Sequence, residues 1–214
     1  MHNELPLISD HLAIVLGDRP LIDVRAPVEF EKGSFPGAVN LPLMNNEERH
    51  RVGTVYKKEG HDAAVALGYK LVSGAVKAAR IEAWVEFVRQ HPDAVVFCFR
   101  GGLRSKLSQE WLSEALGRPV PRLEGGYKAF RAYLTRELER CAGRPASMVG
   151  GLERPRPDLN PVVLGGRTGS GKTLLLHTLP NIIDLEKLAN HRGSSFGRFI
   201  APPHPPLSFF TGLG

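Results

Sequence analysis

The nine residues FCFRGGLRS, Phe97 to Ser105, bring one cysteine, two glycines and two arginines into a single short stretch. Cys98 closes an apolar run, DAVVFCF, and the residues after it suit an anion. Gly101 and Gly102 admit backbone angles closed to other residues, so successive N–H groups can turn inward around one negative charge. Arg100 and Arg104 add positive charge, and a helix starting near Leu103 adds the positive end of its dipole. Each contribution favours thiolate over thiol, and the thiolate is the nucleophile. Without such neighbours a cysteine is more simply read as a small buried hydrophobe. Cys141, which has no comparable loop, is read that way. A Cys-x5-Arg spacing, here Cys98 to Arg104, also occurs in cysteine phosphatases, although the histidine that commonly precedes their cysteine is missing.

A second stretch, GGRTGSGKT, points to phosphate. Gly166, Gly171, Lys172 and Thr173 satisfy the spacing G-x-x-x-x-G-K-S/T, with Gly169 inside the loop. An apolar segment precedes the motif and LLLHTL follows it, the strand–loop–helix setting that a phosphate loop needs. Its backbone N–H groups would cradle a di- or triphosphate, with Lys172 neutralising the oxygens and the Thr173 hydroxyl holding Mg2+. NIIDLE would place Asp184 at a strand end near that ion; the plainer alternative is a solvated acid. About forty residues follow Lys172, fewer than a self-sufficient nucleotide-binding domain uses, so this unit is expected to be incomplete.

The segments that must carry these loops alternate in type. PLIDVR reads as a buried strand, APVEFEKG as a short helix stopped by Gly33, and FPGAVNLP as a turn and strand. Residues 45–91 are helical in pattern with a break at KEGHD, and Ile81, Trp84, Val85 and Val88 share one face as core. DAVVFCF is the next strand, RSKLSQEWLSEALG a helix ending at Gly117, VPRLEGG a strand and turn, and YKAFRAYLTRELERCAG an amphipathic helix. Such alternation predicts an α/β fold with a parallel sheet covered on both faces. Residues 142–159 are rich in Gly and Pro and show no period, so they read as a linker between residues 1–141 and 160–214. The Pro-rich tail APPHPPLSFFTGLG reads as irregular.

Composition narrows the partners. The 214 residues carry 28 Lys and Arg against 22 Asp and Glu, a net charge of +6, which suits a phosphate-rich partner such as RNA. Two cysteines make neither a disulfide framework nor a zinc pattern, so a cytoplasmic protein is expected. No signal peptide and no apolar run of spanning length is legible, so no membrane partner is expected. Nothing in the sequence fixes an oligomeric state.

LIDVRAPVEFEKGSFPGAVNLP, the cysteine loop and RLEGGYKAF together resemble the rhodanese family of sulfurtransferases, whose cysteine carries a transferable sulfur as a persulfide. With YKKEGHDAAVALGYKLVSG, the phosphate loop and IDLEKLANHRGSSFGR added, the chain to Arg198 resembles the tRNA 2-selenouridine synthase family. Phe99 and Lys106 stand where that family's pattern has tryptophan and glutamine, and beyond Arg198 the likeness fades. The resemblance implies a rhodanese-like domain followed by a partial P-loop domain, together a C-terminally shortened member of the family. It implies exchange of sulfur for selenium at the wobble 2-thiouridine of tRNA, with selenophosphate and geranyl diphosphate as co-substrates and an S-geranylated intermediate. Cys98 would then be the essential cysteine and Arg100, Gly101, Gly102 and Arg104 would orient the anion. The P-loop residues would hold a diphosphate such as that of geranyl diphosphate. The partners implied are the tRNA anticodon loop, bound through phosphates and splayed bases, and a source of selenophosphate. Rival expectations are a plain sulfurtransferase with a vestigial P-loop, and a fragment that binds tRNA without chemistry.

Overall fold

The structure, a computed structural model, describes residues 5–141, 164–165, 167, 169–180, 182 and 184. The chain divides into two compact units, Met1–Leu138 and Glu139–Gly214. The first is built on five short strands: β1 (Leu7–Ile8), β2 (Leu21–Asp23), β3 (Val39–Asn40), β4 (Val95–Phe97) and β5 (Arg122–Leu123). They form one sheet in the order β1-β5-β4-β2-β3, and every pairing is parallel. Parallel neighbours need crossovers. Here those are α1 (His11–Leu16), α2 (Pro27–Glu31), the run α3 (Asn46–Glu59), α4 (His61–Leu71) and α5 (Gly74–Gln90), and α6 (Leu103–Leu116). The last helix of the unit is α7 (Gly126–Cys141).

The central strand β4 (VVF) is wholly apolar and β2 (LID) apolar up to Asp23 because both faces are covered, and successive side chains go to opposite sides. Leu21, Val95 and Phe97 pack with Ile14, Phe35, Leu123 and Phe130 on one face. Ile22, Val24, Val96 and Cys98 pack with Leu43, Met44, Val72, Trp84 and Leu112 on the other. The alternation along β4 thus decides which layer the cysteine meets. Trp84, 1% exposed, anchors that layer and donates its indole N–H to the Leu41 carbonyl at 2.9 Å.

Local signals account for most element ends. Asn45 and Glu48 cap α3 reciprocally, each side chain accepting the other's backbone N–H at 2.8 Å. Gly117, at φ 64°, ends α6 in the left-handed conformation. The expected break at KEGHD falls at Gly60, between α3 and α4. A second break at Val72–Ser73 was not expected: Val72 turns into the core and the Ser73 hydroxyl bonds the Lys70 carbonyl at 2.9 Å. Also unexpected are β1 and α1, too short for a periodic signal. The chain entering β1 is held from a distance by Gln109, whose amide donates to the Pro6 carbonyl at 2.8 Å and the Val120 carbonyl at 2.9 Å.

In the second unit, α8 (Lys172–Leu176) follows the phosphate loop as expected. Leu164, Gly165, Ile182 and Asp184 have no regular secondary structure, so the strand-end setting expected for Asp184 is not found there. Residues 142–163, which include the expected linker, lie outside the described residues, as do Gly166 and the tail. Leu174 and Leu175 of α8 are exposed. Among the described residues no helix is long and apolar enough to cross a membrane.

His11 of α1 stacks on Phe130 at 5.4 Å, and its Nε2 is buried without a hydrogen-bond partner among the described residues. Burial, and after it the charge of Arg136, holds its pKa below the ordinary value of 6.5. The fold therefore prefers the neutral ring, and the unfolded chain takes up a proton first. Urea unfolding should show stability declining as the pH falls through about 6.5. His11→Phe should flatten that part of the profile.

Candidate active site

Strands β2 and β4 lie side by side, and their chains leave in opposite directions, β2 through α2 to β3 and β4 through α6 to β5. Such a divergence opens a crevice beyond the carboxyl ends of the two strands. Asp23 ends β2 and Cys98 follows β4 directly, so both chemistry-bearing loops start from this crevice.

Cys98 is 3% exposed and belongs to the core, yet its sulfur borders a cavity of about 640 Å³. Cys98 is thus a core residue that also lines a cavity. Its Sγ lies 3.1 Å from the Ser105 hydroxyl, which in turn can donate to the Gly102 carbonyl at 3.1 Å. The hydroxyl has one proton to give. While it bonds Gly102, the cysteine thiol can donate to the serine oxygen; turned the other way, it donates to a thiolate. Ser105 is thus a partner for both protonation states. Its place in the quoted stretch was visible in the sequence, but its role was not.

The loop itself is held from beneath by the residues LEGG. Tyr127 and Lys128, in the first turn of α7, donate their amides to the Cys98 and Phe99 carbonyls at 2.9 and 3.0 Å. Arg122 donates to the Gly101 carbonyl. A Cβ on Gly126, at φ 59°, would overlap the Cys98 carbonyl oxygen and the Gly101 nitrogen. One on Gly101, at φ 66°, would stand 2.9 Å from the Gly125 nitrogen. Gly101 therefore needs to be glycine, as expected. Gly102 does not: its φ of −86° and ψ of −152° are open to any residue, and a Cβ there meets nothing within 4 Å. The expectation that both glycines adopt closed angles is corrected for Gly102.

Among the described residues, the amides of Arg100, Gly101 and Gly102 donate to no acceptor. They lie at the N-terminus of the 14-residue α6, where unsatisfied N–H groups attract an anion. The two arginines differ. Arg100 is exposed and pairs with no carboxylate among the described residues, so it can meet an incoming anion. Arg104 is already engaged: it donates to Glu29 at 2.6 and 3.3 Å. Glu29 also accepts the Ala26 amide at 3.1 Å and sits 3.2 Å from Arg49. Burial pushes the Glu29 carboxyl up, but the Arg104 hydrogen bond and charge, the Ala26 amide and Arg49 outweigh it and leave the pKa lowered. Burial opposes the Arg104 charge, while Glu29, then Cys98 and Asp23, raise its pKa overall. Arg104 thus brings a fixed positive charge to the cysteine through a partner 75 residues away in sequence.

The opposite side of the β2 end is closed. Asp23, fully buried, accepts from the Arg25 amide at 3.0 Å, the Arg25 guanidinium at 2.6 Å and the Ser34 hydroxyl at 2.9 Å. The same guanidinium stacks 4.1 Å from the Tyr127 ring centroid and donates to the Gly33 carbonyl at 2.8 Å. These groups satisfy one another and form a strut under the site.

In the phosphate loop, Gly169 and Gly171 have φ of 80° and 78°, angles that favour glycine. Lys172 folds back so that its ammonium donates to the Arg167 carbonyl at 2.8 Å. Thr173 is exposed in the first turn of α8. Asp184 faces His177, with Oδ2 3.0 Å from Nε2 and a side chain 11% exposed, so it is a paired rather than a solvated acid. No group of three His, Cys, Asp or Glu side chains suited to a metal occurs among the described residues.

With a strand-end cysteine under a glycine loop in place, residues 9–133 also match the rhodanese-like domain family. The chain belongs to that family. Behind the rhodanese-like domain, residues 159–213 match the tRNA 2-selenouridine synthase AAA domain. A tRNA 2-selenouridine synthase of Sulfurovum sp. (strain NBC37-1) is 58% identical over 210 residues, covering 98% of this chain and 54% of the relative. One from Marinobacter nauticus is 54% identical over 209 residues, covering 98% and 53%. The chain thus spans about half the length of the curated relatives it matches. Among solved structures, the N-terminal domain of a protein described as ATP/GTP binding, from Clostridium difficile 630, is 36% identical with a TM-score of 0.53. That likeness covers 60% of this chain and 98% of the other.

Two outcomes test this geometry. Gly126→Ala should destabilise the rhodanese-like domain by about 3 kcal/mol, and Gly102→Ala by no more than about 0.5 kcal/mol. Glu29→Gln should cost about 2 kcal/mol at pH 7. The Glu29 carboxyl titrates lower in the fold than its unfolded value near 4.3. Its stabilisation is complete above that value and fades as the pH falls through the folded one. The gap between wild type and variant in urea unfolding should therefore narrow below about pH 4.

Proposed function

We propose that this chain carries the sulfur-for-selenium exchange of a tRNA 2-selenouridine synthase, with Cys98 as its reactive cysteine. The observation that carries this reading is the 58% identity to such a synthase over 98% of the chain. The site chemistry supports it. The free amides of residues 100–102 and the Arg100 guanidinium would bind selenophosphate, while Arg104 maintains positive charge beside the sulfur. Ser105 would follow Cys98 between thiol and thiolate. At the nucleoside, the geranylated sulfur would leave C2 as geranyl thiol while selenium, freed from selenophosphate by hydrolysis of its P–Se bond to give phosphate, bonds to C2.

The second unit would hold the diphosphate of geranyl diphosphate in the loop from Gly166 to Thr173. Lys172 would swing from the Arg167 carbonyl to the phosphate oxygens. Thr173, with Asp184 released from His177, would supply oxygen ligands to Mg2+. The substrate would be the anticodon loop of a tRNA, drawn to a chain of net charge +6, and the setting the cytoplasm, where tRNA is modified.

Nucleoside mass spectrometry on 2-thiouridine tRNA, incubated with this chain, selenophosphate and geranyl diphosphate, tests the proposal. 2-Selenouridine should form, and Cys98→Ala should abolish it. Lys172→Ala should suppress the geranylated nucleoside by about 100-fold or more. Sulfur transfer to a small thiol with no change in tRNA would instead assign a plain sulfurtransferase. Retained tRNA binding without any product would assign a binding fragment.

A further inference from the structure

The cavity at Cys98 is far larger than a small anion requires. A tetrahedral anion fills on the order of 100 Å³, whereas a cavity of about 640 Å³ is of the size that encloses a whole organic ligand. Much of its wall is apolar, although His50, Thr54, Lys57 and His61 also contribute. Leu43, Met44 and Val72 come from the core layer, Val65 from α4, and Leu107 and Trp111 from α6. Arg100 and Arg104 line the cysteine end, and Arg49 and Lys57 of α3 bring further positive charge to the lining.

The two helices that form its outer wall have been left short of side chains. Gly53 lies in the middle of α3 and Gly68 within α4, and both line the cavity. Neither has a positive φ, and a Cβ on either would meet nothing within 4 Å. Glycine inside a helix is less stable than alanine, so neither helix conformation nor crowding accounts for these two positions. Space does.

We propose that this cavity is a hydrocarbon subsite. It takes a branched acyclic chain of about ten carbons carried on the sulfur of the substrate nucleoside, with that sulfur directed to Cys98 and its anion cradle. The inference rests on the proposed function, whose intermediate is S-geranylated, and adds where the chain is held: in the rhodanese-like domain, against Trp111, rather than in the phosphate-loop unit. An apolar chain fits the apolar part of these walls, and the anion the end where Arg100 and Arg104 lie beside Cys98.

The test is a chain-length series of 2-thiouridine nucleosides bearing S-methyl, S-dimethylallyl or S-geranyl groups, titrated into this chain and read by tryptophan fluorescence. Trp84 is 1% exposed and gives a constant background, while Trp111 lines the cavity and reports on it. Affinity should rise about 10-fold or more at each step of the series. Gly53→Leu and Gly68→Leu, which strengthen their helices, should raise Tm yet cut geranyl binding by at least about 10-fold, leaving S-methyl binding within about 2-fold. A flat series would make the cavity a pocket for the base alone and overturn the inference. Geranyl binding insensitive to both leucines but displaced by inorganic pyrophosphate would place the chain at the phosphate loop, and would overturn it equally. Failure to form selenouridine beside a steep series would sink the proposed function while the subsite stands.

Discussion

The parallel pairing of β2 with β4, Ile22 opposite Val96 and Asp23 opposite Phe97, is the constraint from which the rest of the site follows. It brings the ends of two strands together whose chains then diverge, so a crevice opens where neither connection covers it. It also sets the phase of the side chains. With Phe97 directed to the layer of Phe35 and Phe130, Cys98 must face the layer of Leu43, Met44 and Val72. A slip by one residue would exchange the two layers and put a phenyl ring where the sulfur is. The cysteine is therefore positioned by backbone hydrogen bonds before any of its own contacts are counted.

Charge is distributed over this frame with a division of labour. Asp23, Arg25 and Ser34 satisfy one another out of water and brace the β2 end. Glu29 restrains Arg104 and, less closely, Arg49, which keeps a guanidinium near the sulfur without leaving it free to collapse onto an anion. Among the described residues, Arg100 meets no carboxylate and the amides of residues 100–102 meet no acceptor, which suits them to the proposed anion. Preorganisation of this kind places donors ahead of time at the position where negative charge will sit.

Much of this was legible in the sequence, and the limits have physical causes. The cysteine loop announces itself because glycine, arginine and cysteine are adjacent, and the parallel sheet because short apolar runs alternate with amphipathic ones. Glu29 was passed over as one more polar residue in a short helix, since its value lies in an arginine 75 positions away. Ser105 carries no signal in the sequence, because its link to the cysteine exists only once the first turn of α6 brings its hydroxyl 3.1 Å from the sulfur. Gly102 was credited with an unusual conformation by analogy with its neighbour, although its angles are ordinary. The cavity could not be read at all: its walls come from residues between Glu29 and Trp111, and each apolar residue there looks like ordinary core until the gap between them is seen.

The depth of Cys98 governs its exposure to the chemistry of the cell. Cys98, only 3% exposed and bordering a largely apolar cavity, is sheltered from bulk water and from bulky charged thiols. The burial that at first suggests an inert cysteine therefore acts as a filter: what reaches the sulfur is what can enter the cavity beside it.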